Sequence, residues 1–374
     1  VSHFILDLES EMQFKLTTPV LFLVFNRPST TQIVFDAIRK AQPSKLYIAA
    51  DGPRKNKDGE AEKCREVRTI VSNIDWDCEV KTLFRDENLG CGKGVSSAIT
   101  WFFENEPEGI ILEDDCVPNE SFFRYCSELL EYYRHDKRIM EISGNSIRPP
   151  KHEISDSYSF SDHNGIWGWA SWRRAWELYD YEMKSYKKIK ELGWLNKKFG
   201  SIYEEHYFNW VFERTYLFPH ITWDYQWEFV KRVNSGLTVV PQKNMVVNIG
   251  FGADATSTTS TNNPGSNLKA EQMSFPLKHP RYVMADKEAD RQSFINHMTT
   301  FSSRVKSQFK HMLPVRLQER IFKYTMGKFV VSQTSDPTVL NKLKRKSTIT
   351  FLSTANLLIH AVELDCQLFF LPVI

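Results

Sequence analysis

Three consecutive carboxylates, Glu113, Asp114 and Asp115, stand directly after Ile110-Ile-Leu112 and before Cys116-Val-Pro118. Like charges at this spacing repel, and one of them must take up a proton unless something positive sits among them. A divalent cation is the usual positive group. Carboxylate oxygens suit Mg²⁺ or Mn²⁺, which keep open positions for water and phosphate oxygens. The bland alternative is a solvated acidic turn, the commoner fate of a charge run. The residues in front argue against it. Ile110, Ile111 and Leu112 form an unalternating apolar stretch bounded by turn residues, which reads as a strand buried on both faces. Ligands of an open α/β sheet bind beyond the carboxyl ends of such strands.

Other stretches carry chemistry with less specificity. Ile221-Thr-Trp-Asp224-Tyr-Gln-Trp227 sets one carboxylate among aromatic rings. That setting raises an acid's pKa and suits a general base, while a buried Asp bound to backbone amides fits equally well. Gly250-Phe-Gly-Ala-Asp254 opens a long small-residue loop, of the kind that often closes over ligands. Gly90-Cys-Gly92-Lys93-Gly94 misses both G-x-x-x-x-G-K-S/T and G-x-G-x-x-G. Lys93 near a helix start can meet a phosphate or simply point into water. Gly165-Ile-Trp-Gly-Trp-Ala-Ser-Trp172 mixes tryptophans with small residues. It allows stacking on a sugar face as readily as core packing.

The elements that must position these groups alternate. Pro19–Phe25 reads as a buried first strand ending at Asn26-Arg27-Pro28. A helix follows on Ile33, Ala37, Ile38 and Ala41. Lys45–Ala50 is a second strand closed by Asp51-Gly52-Pro53, with a helix over about 60–73. Cys78–Phe84 is a third strand ending at Arg85. Gly90, Gly92 and Gly94 read as a loop before a helix over 95–104. The acidic strand follows, then a helix over about 121–134 and a strand over 139–143. The pair 239–241 and 245–249 reads as two neighbouring strands, and Trp172 with Trp176 as the start of a helix. Such alternation predicts a mostly parallel sheet with helices on both sides. Arg27, Asp51, Arg85 and the acidic triplet then share one edge, which suits a nucleoside diphosphate.

The whole chain sets bounds. Its 374 residues suffice for one large domain or two. A formal charge of +2 leaves no global field for nucleic acid. The cysteines at 64, 78, 91, 116, 126 and 366 form no C-x-x-C pair. They read as free thiols of a reducing compartment. No run approaches the ~20 apolar residues of a membrane-spanning helix, and the first residues have no basic start typical of a signal peptide. Asn119-Glu-Ser121 matches a glycosylation sequon by chance on this reading. Lys342-Leu-Lys-Arg-Lys346 reads first as a solvated charge run and second as a peripheral contact with anionic lipid.

In order along residues 19–258, these motifs resemble the GT-A nucleotide-diphospho-sugar transferases, nearest to the N-acetylglucosaminyltransferase I branch and its bacterial relatives. The carriers are a first strand ending in Arg27, a second ending in Asp51, and Asn88–Lys93 leading into a helix. Glu113-Asp114-Asp115 matches that group's E-D-D form of the D-x-D motif. The glycine–tryptophan segment 165–169 and the W-D segment at Asp224 complete the set. Relatives read W-D-D-W where this chain reads W-D-Y-Q-W.

The resemblance implies a Rossmann-like mixed sheet of GT-A type flanked by helices, with a helical C-terminal extension. It also implies a metal-dependent, inverting glycosyltransferase acting in the cytoplasm, with bacterial surface glycan synthesis as a setting. Asp115 would bind Mn²⁺ or Mg²⁺. Glu113 and Asp114 would place metal, ribose and sugar, and Arg27 and Asp51 would contact the nucleotide of a donor, a UDP-sugar by preference. Asp224 would activate a glycan or other hydroxyl acceptor, with Asp254 as the second candidate. Residues 1–16 would be an extension, 17–285 the transferase domain (17–118 nucleotide-sugar half, 119–285 acceptor half) and 286–374 the C-terminal extension. A nucleotidyltransferase or a non-catalytic sugar-binding module are the alternatives.

Overall fold

The computed structural model describes residues 14–146, 155–251 and 268–298, with isolated positions between 312 and 326. Asp254, the basic cluster 342–346 and the tail beyond it lie outside the described residues. Strand β1 (Val20–Val24) leads into α1 (Pro28–Ala41), β2 (Lys45–Ala50), α2 (Glu60–Ser72), β3 (Glu79–Phe84), α3 (Gly90–Asn105) and β4 (Glu108–Glu113). Then come β5 (Cys116–Pro118), α4 (Glu120–Tyr132), β6 (Ile139–Ser143), β7 (Tyr158–Ser161) and β8 (Trp169–Trp172). The second half is mostly helical: α5 (Arg173–Trp176), α6 (Tyr186–Glu191), a 3-10 turn (Leu195–Lys198), α7 (Ile202–Leu217) and α8 (Asp224–Val233). Strands β9 (Leu237–Pro241) and β10 (Val246–Asn248) and helix α9 (Lys287–Met298) complete the described elements.

The α/β expectation holds: a mostly parallel mixed sheet of 8 strands, in the order β3-β2-β1-β4-β8-β6-β9-β7, is flanked by helices. This is consistent with a Rossmann-like GT-A fold. Strand β1 shows how the sequence makes two layers. Val20, Phe22 and Val24 pack on one face with Val34 and Ile38 of α1, Val67 of α2 and Phe122 and Leu129 of α4. Leu21 and Leu23 pack on the other with Ile99 and Phe102 of α3 and with Trp169, Phe212 and Trp227. Period-2 side chains feed both cores, which is why the strand reads as continuously apolar.

Topology sets the site. Strands β1, β2, β3 and β4 are mutually parallel where they pair, and Leu23 stands opposite Glu113. The chain steps outward from β1 to β2 and β3, then returns to β4 on the other side of β1. Adjacent parallel strands whose connections leave in opposite directions open a crevice at their carboxyl ends. Arg27 follows one of these two strands and Glu113 ends the other.

Three sequence expectations require correction. Helix α3 starts at Gly90 rather than Val95. Its glycines count as breakers locally, yet each is demanded by its surroundings. Gly90 turns the chain with φ +75°. A Cβ on Gly92 would lie 2.4 Å from the Pro219 carbonyl oxygen, and one on Gly94 3.0 Å from Asp51 Oδ2. Gly92→Ala is therefore expected to destabilise the fold by about 1–3 kcal/mol, because backbone must move to admit the methyl. The urea midpoint of unfolding measures this. Second, 239–241 and 245–249 are not paired with each other. Strand β9 lies between β6 and β7, whereas β10 pairs with β5 in a separate two-stranded sheet. Third, Trp172 ends β8 rather than starting a helix, and α5 covers only Arg173–Trp176. Burial of Trp172 and Trp176 holds as expected.

Candidate functional site

At the crevice, the acidic triplet meets a positive group supplied by the protein itself. Arg27, at the N-cap of α1, donates to Asp114 through Nε at 3.4 Å and through Nη2. Its Nη1 lies 2.9 Å from Asp115 Oδ2. Burial alone would lower the guanidinium pKa, but Asp114 and Asp115 more than reverse this and hold it above its ordinary value. Asp115 also accepts from the Cys116 thiol at 3.4 Å. The β5–β10 ribbon folds the segment after β10 back over this carboxylate. Ile249 N–H donates to the Asp115 carbonyl at 2.8 Å, and a Cβ on Gly250 would lie 2.1 Å from Asp115 Oδ2. Any side chain at 250 would have to displace the Asp115 carboxylate.

Glu113 is different. Among the described residues no hydrogen-bond donor reaches its carboxylate. Burial raises its pKa first, then Asp115 and Asp114, with Arg27 opposing and Asp224 adding to the rise. The residue retains part of its own surface. A group that protein surrounds while leaving it accessible lines a concavity.

Cys91, in the first turn of α3, marks the same concavity. It is exposed, yet burial raises its thiol pKa, followed by the charges of Glu113, Asp224, Asp51 and Asp115. Four carboxylates from three parts of the chain thus act on one thiol. Asp224 arrives there because Gly92 N–H donates to the His220 carbonyl at 3.1 Å, docking the 218–223 segment on the start of α3. Asp224 is then the first residue of α8. Its carboxylate accepts from Thr222 Oγ1 and from the amides of Asp224 and Tyr225, and burial raises its pKa against these bonds. So Asp224 both tops its own helix and lies within the field of Glu113.

Asp51 has a structural task. Its two oxygens accept from Leu89 N–H at 3.0 Å each, from Gly90 N–H at 3.1 Å and from Gly52 N–H at 3.1 Å. It caps α3 from another strand end, and burial raises its pKa while those amides lower it. Asp51→Ala is expected to cost about 1–2 kcal/mol, the worth of a lost helix cap. A thermal unfolding midpoint unchanged from wild type would refute this. Lys93 stands exposed on the first turn of α3, and its ammonium has no partner among the described residues. Arg85 donates to Ser97 Oγ at 2.9 Å.

Half of the ten tryptophans are core. Trp169, Trp172, Trp176, Trp223 and Trp227 are all 3% exposed or less, and Trp169, Trp223 and Trp227 pack at tilted angles around Trp176. Of the tryptophans in the 165–172 segment, Trp167 alone stays partly accessible, edge-on to Phe251 at 5.8 Å. Asn119 caps α4 through Phe122 N–H at 3.2 Å.

One positioning group escaped the sequence reading. Glu141, wholly buried on β6, accepts from Trp227 Nε1 at 2.7 Å, Lys231 Nζ at 3.1 Å and Gly165 N–H at 2.5 Å. These bonds pin α8, and with it Asp224, to the sheet. The signal was available: a lone charge in the apolar strand Ile-Met-Glu-Ile-Ser must find a partner when buried.

Among the described residues, no group of three or more His, Cys, Asp or Glu is gathered to hold a metal. The chemistry of the donor set still fits a hard divalent cation at Glu113 and Asp115. Mg²⁺-type sites often use one or two carboxylates, with water and substrate phosphate as the other ligands. The Glu113 carboxylate, partly accessible and without a hydrogen-bond donor among the described residues, is the observation that supports the fit. Among the described residues no helix is long and apolar enough to cross a membrane.

No protein-family model matches the chain, and no curated protein matches it. Among solved structures it is similar to the apo form of mouse xyloside xylosyltransferase 1. The TM-score is 0.32 and the identity 12%, over 60% of this chain and 85% of that one. That likeness is too distant to carry fold or function.

Proposed function

We propose that the chain is a glycosyltransferase that moves a sugar from a nucleoside-diphosphate donor to a hydroxyl acceptor. The observation that supports this reading is the crevice between the carboxyl ends of β1 and β4, where Glu113 and Asp115 are joined by the remote Asp224. Such crevices take nucleotides. Glu113 and Asp115 would hold Mn²⁺ or Mg²⁺, which when bound neutralises charge on a diphosphate leaving group.

The chain's own residues divide the remaining work. Lys93, exposed at the start of α3, would meet phosphate oxygens. Asp224 accepts the proton of the acceptor hydroxyl. Its buried setting raises its pKa and so strengthens it as a base. A base distinct from the leaving-group carboxylates fits attack from the opposite face, hence inversion. Asp254 remains the second candidate base. The finer assignment, to the N-acetylglucosaminyltransferase I branch and its bacterial relatives with a UDP-sugar donor in the cytoplasm, rests on the ordered motifs alone.

The test is to incubate the protein with a panel of nucleoside-diphosphate sugars, with MnCl₂ and with EDTA. Metal-dependent release of nucleoside diphosphate supports the proposal. Pyrophosphate release from a nucleoside triphosphate and a sugar phosphate would make it a nucleotidyltransferase instead. Glycan binding without nucleotide or metal would make it a binding module.

A further inference from the structure

We infer that Arg27 is an internal counter-ion that occupies Asp115 when no divalent cation is bound, and that guanidinium and cation compete for the same carboxylate oxygen. The inference rests on the proposed cation site. It goes further by giving Arg27 a role the sequence reading did not assign.

The geometry divides the guanidinium into two parts. Nε and Nη2 both point to Asp114, which is nearly buried. Nη1 alone reaches Asp115, at 2.9 Å. The Arg27 and Asp115 side chains each retain 16% of their surface, against 5% for Asp114. The Asp114 contact is therefore the fixed end and the Asp115 contact the accessible one. A planar fork held on one edge can lose its other contact without leaving its anchor.

Charge decides when that happens. Without a cation, Asp115 stands beside Glu113 and Asp114, and Nη1 is the positive group that makes this tolerable. A doubly charged ion on Asp115 repels the guanidinium, so both cannot sit on Oδ2. Crowding from the other side limits rearrangement. Gly250 already lies so close that a Cβ there would be 2.1 Å from Oδ2 and 3.0 Å from Nη1. Arg27 therefore releases Nη1, stays on Asp114 and presents a free N–H edge beside the cation. The chemistry that suits this edge is a phosphate oxygen. Cation and donor diphosphate would thus each favour binding of the other through Arg27, by linkage.

The test is Mn²⁺ affinity measured by electron paramagnetic resonance of free Mn²⁺, without nucleotide, on the full chain. Arg27→Gln, which removes the competitor but keeps a donor for Asp114, is expected to bind Mn²⁺ about tenfold more tightly than wild type. Arg27→Lys, a point charge that cannot bridge both carboxylates, is expected to fall between them. If Arg27 is only a structural pin, removing it lets the carboxylates splay. Equal or weaker Mn²⁺ binding in either folded variant then overturns the inference. Should Arg27→Gln fail to fold, Arg27→Lys decides alone. Metal-dependent donor cleavage by wild type, alongside unchanged Mn²⁺ affinity in the variants, overturns the exchange and leaves the proposed function standing. No Mn²⁺ binding by any of the proteins, with no metal-dependent cleavage, overturns both.

Discussion

Asp115→Asn is expected to lower metal-dependent donor turnover by about 10³-fold, because charge stabilisation worth several kcal/mol is lost with the cation. The substitution keeps shape and an acceptor oxygen but removes the charge that Glu113 and Asp115 together offer. The new amide keeps a carbonyl oxygen for the Cys116 thiol and adds no bulk under Gly250, so the fold is expected to survive. Calorimetric titration with MnCl₂, alone and with a nucleoside diphosphate, checks the binding side. Release of nucleoside diphosphate checks the chemical side. Wild-type Mn²⁺ affinity and wild-type turnover in Asp115→Asn would remove this carboxylate from the mechanism. A loss of turnover with metal affinity intact would move the cation elsewhere.

Asp224→Asn is expected to leave Mn²⁺ and donor affinity close to wild type while lowering the rate of transfer about 10²–10⁴-fold, the usual worth of general base catalysis. Asparagine is the informative replacement. Asp224 also accepts from Thr222 and from the first amides of α8, and an asparagine oxygen can still do so. Alanine would mix lost capping with lost chemistry. The distinguishing measurement is a split between steps. Donor binding reports the Glu113–Asp115 side, and single-turnover transfer to acceptor reports the base. If Asp224 is only the helix cap, Asp224→Asn transfers at the wild-type rate, and Asp254→Asn becomes the substitution to make.

Much of the fold was legible without coordinates. Strands β1, β2 and β4 are apolar runs closed by Arg27-Pro28, Asp51-Gly52 and Glu113, and runs of that kind have few alternatives to a buried parallel sheet. Pro28 opens α1, but of the spacing Ile33, Ala37, Ile38 and Ala41 only Ile38 is fully buried; Ile33 is exposed, and Val34 and Phe35 face the core because the neighbouring strands set the helix's rotation. The acidic triplet was legible for the same reason: three carboxylates after a buried strand are a local pattern, and local patterns survive translation into sequence. The α3 boundary was misread because its glycines answer to Pro219, His220 and Asp51, residues remote from them in the chain. The partner of β10 is not readable because two valines and an asparagine do not state which strand they join. Strand β10 pairs with β5 across more than a hundred positions, Val247 opposite Val117.

The candidate site divides along the same line. Sequence alone determined which groups are chemically able: an acidic cluster at a strand end, a carboxylate among aromatic rings, a lysine at a helix start. Tertiary structure decided what each one faces. It paired Arg27 with Asp114 and Asp115, and set the Asp51 carboxylate against the first amides of α3. It buried five of the ten tryptophans and brought Asp224 within the field of Glu113. The physical reason is range. Propensity, periodicity and like-charge repulsion act between neighbours in the chain, whereas the ion pair of Arg27 with Asp114 spans 87 positions and exists only once β1 and β4 lie side by side.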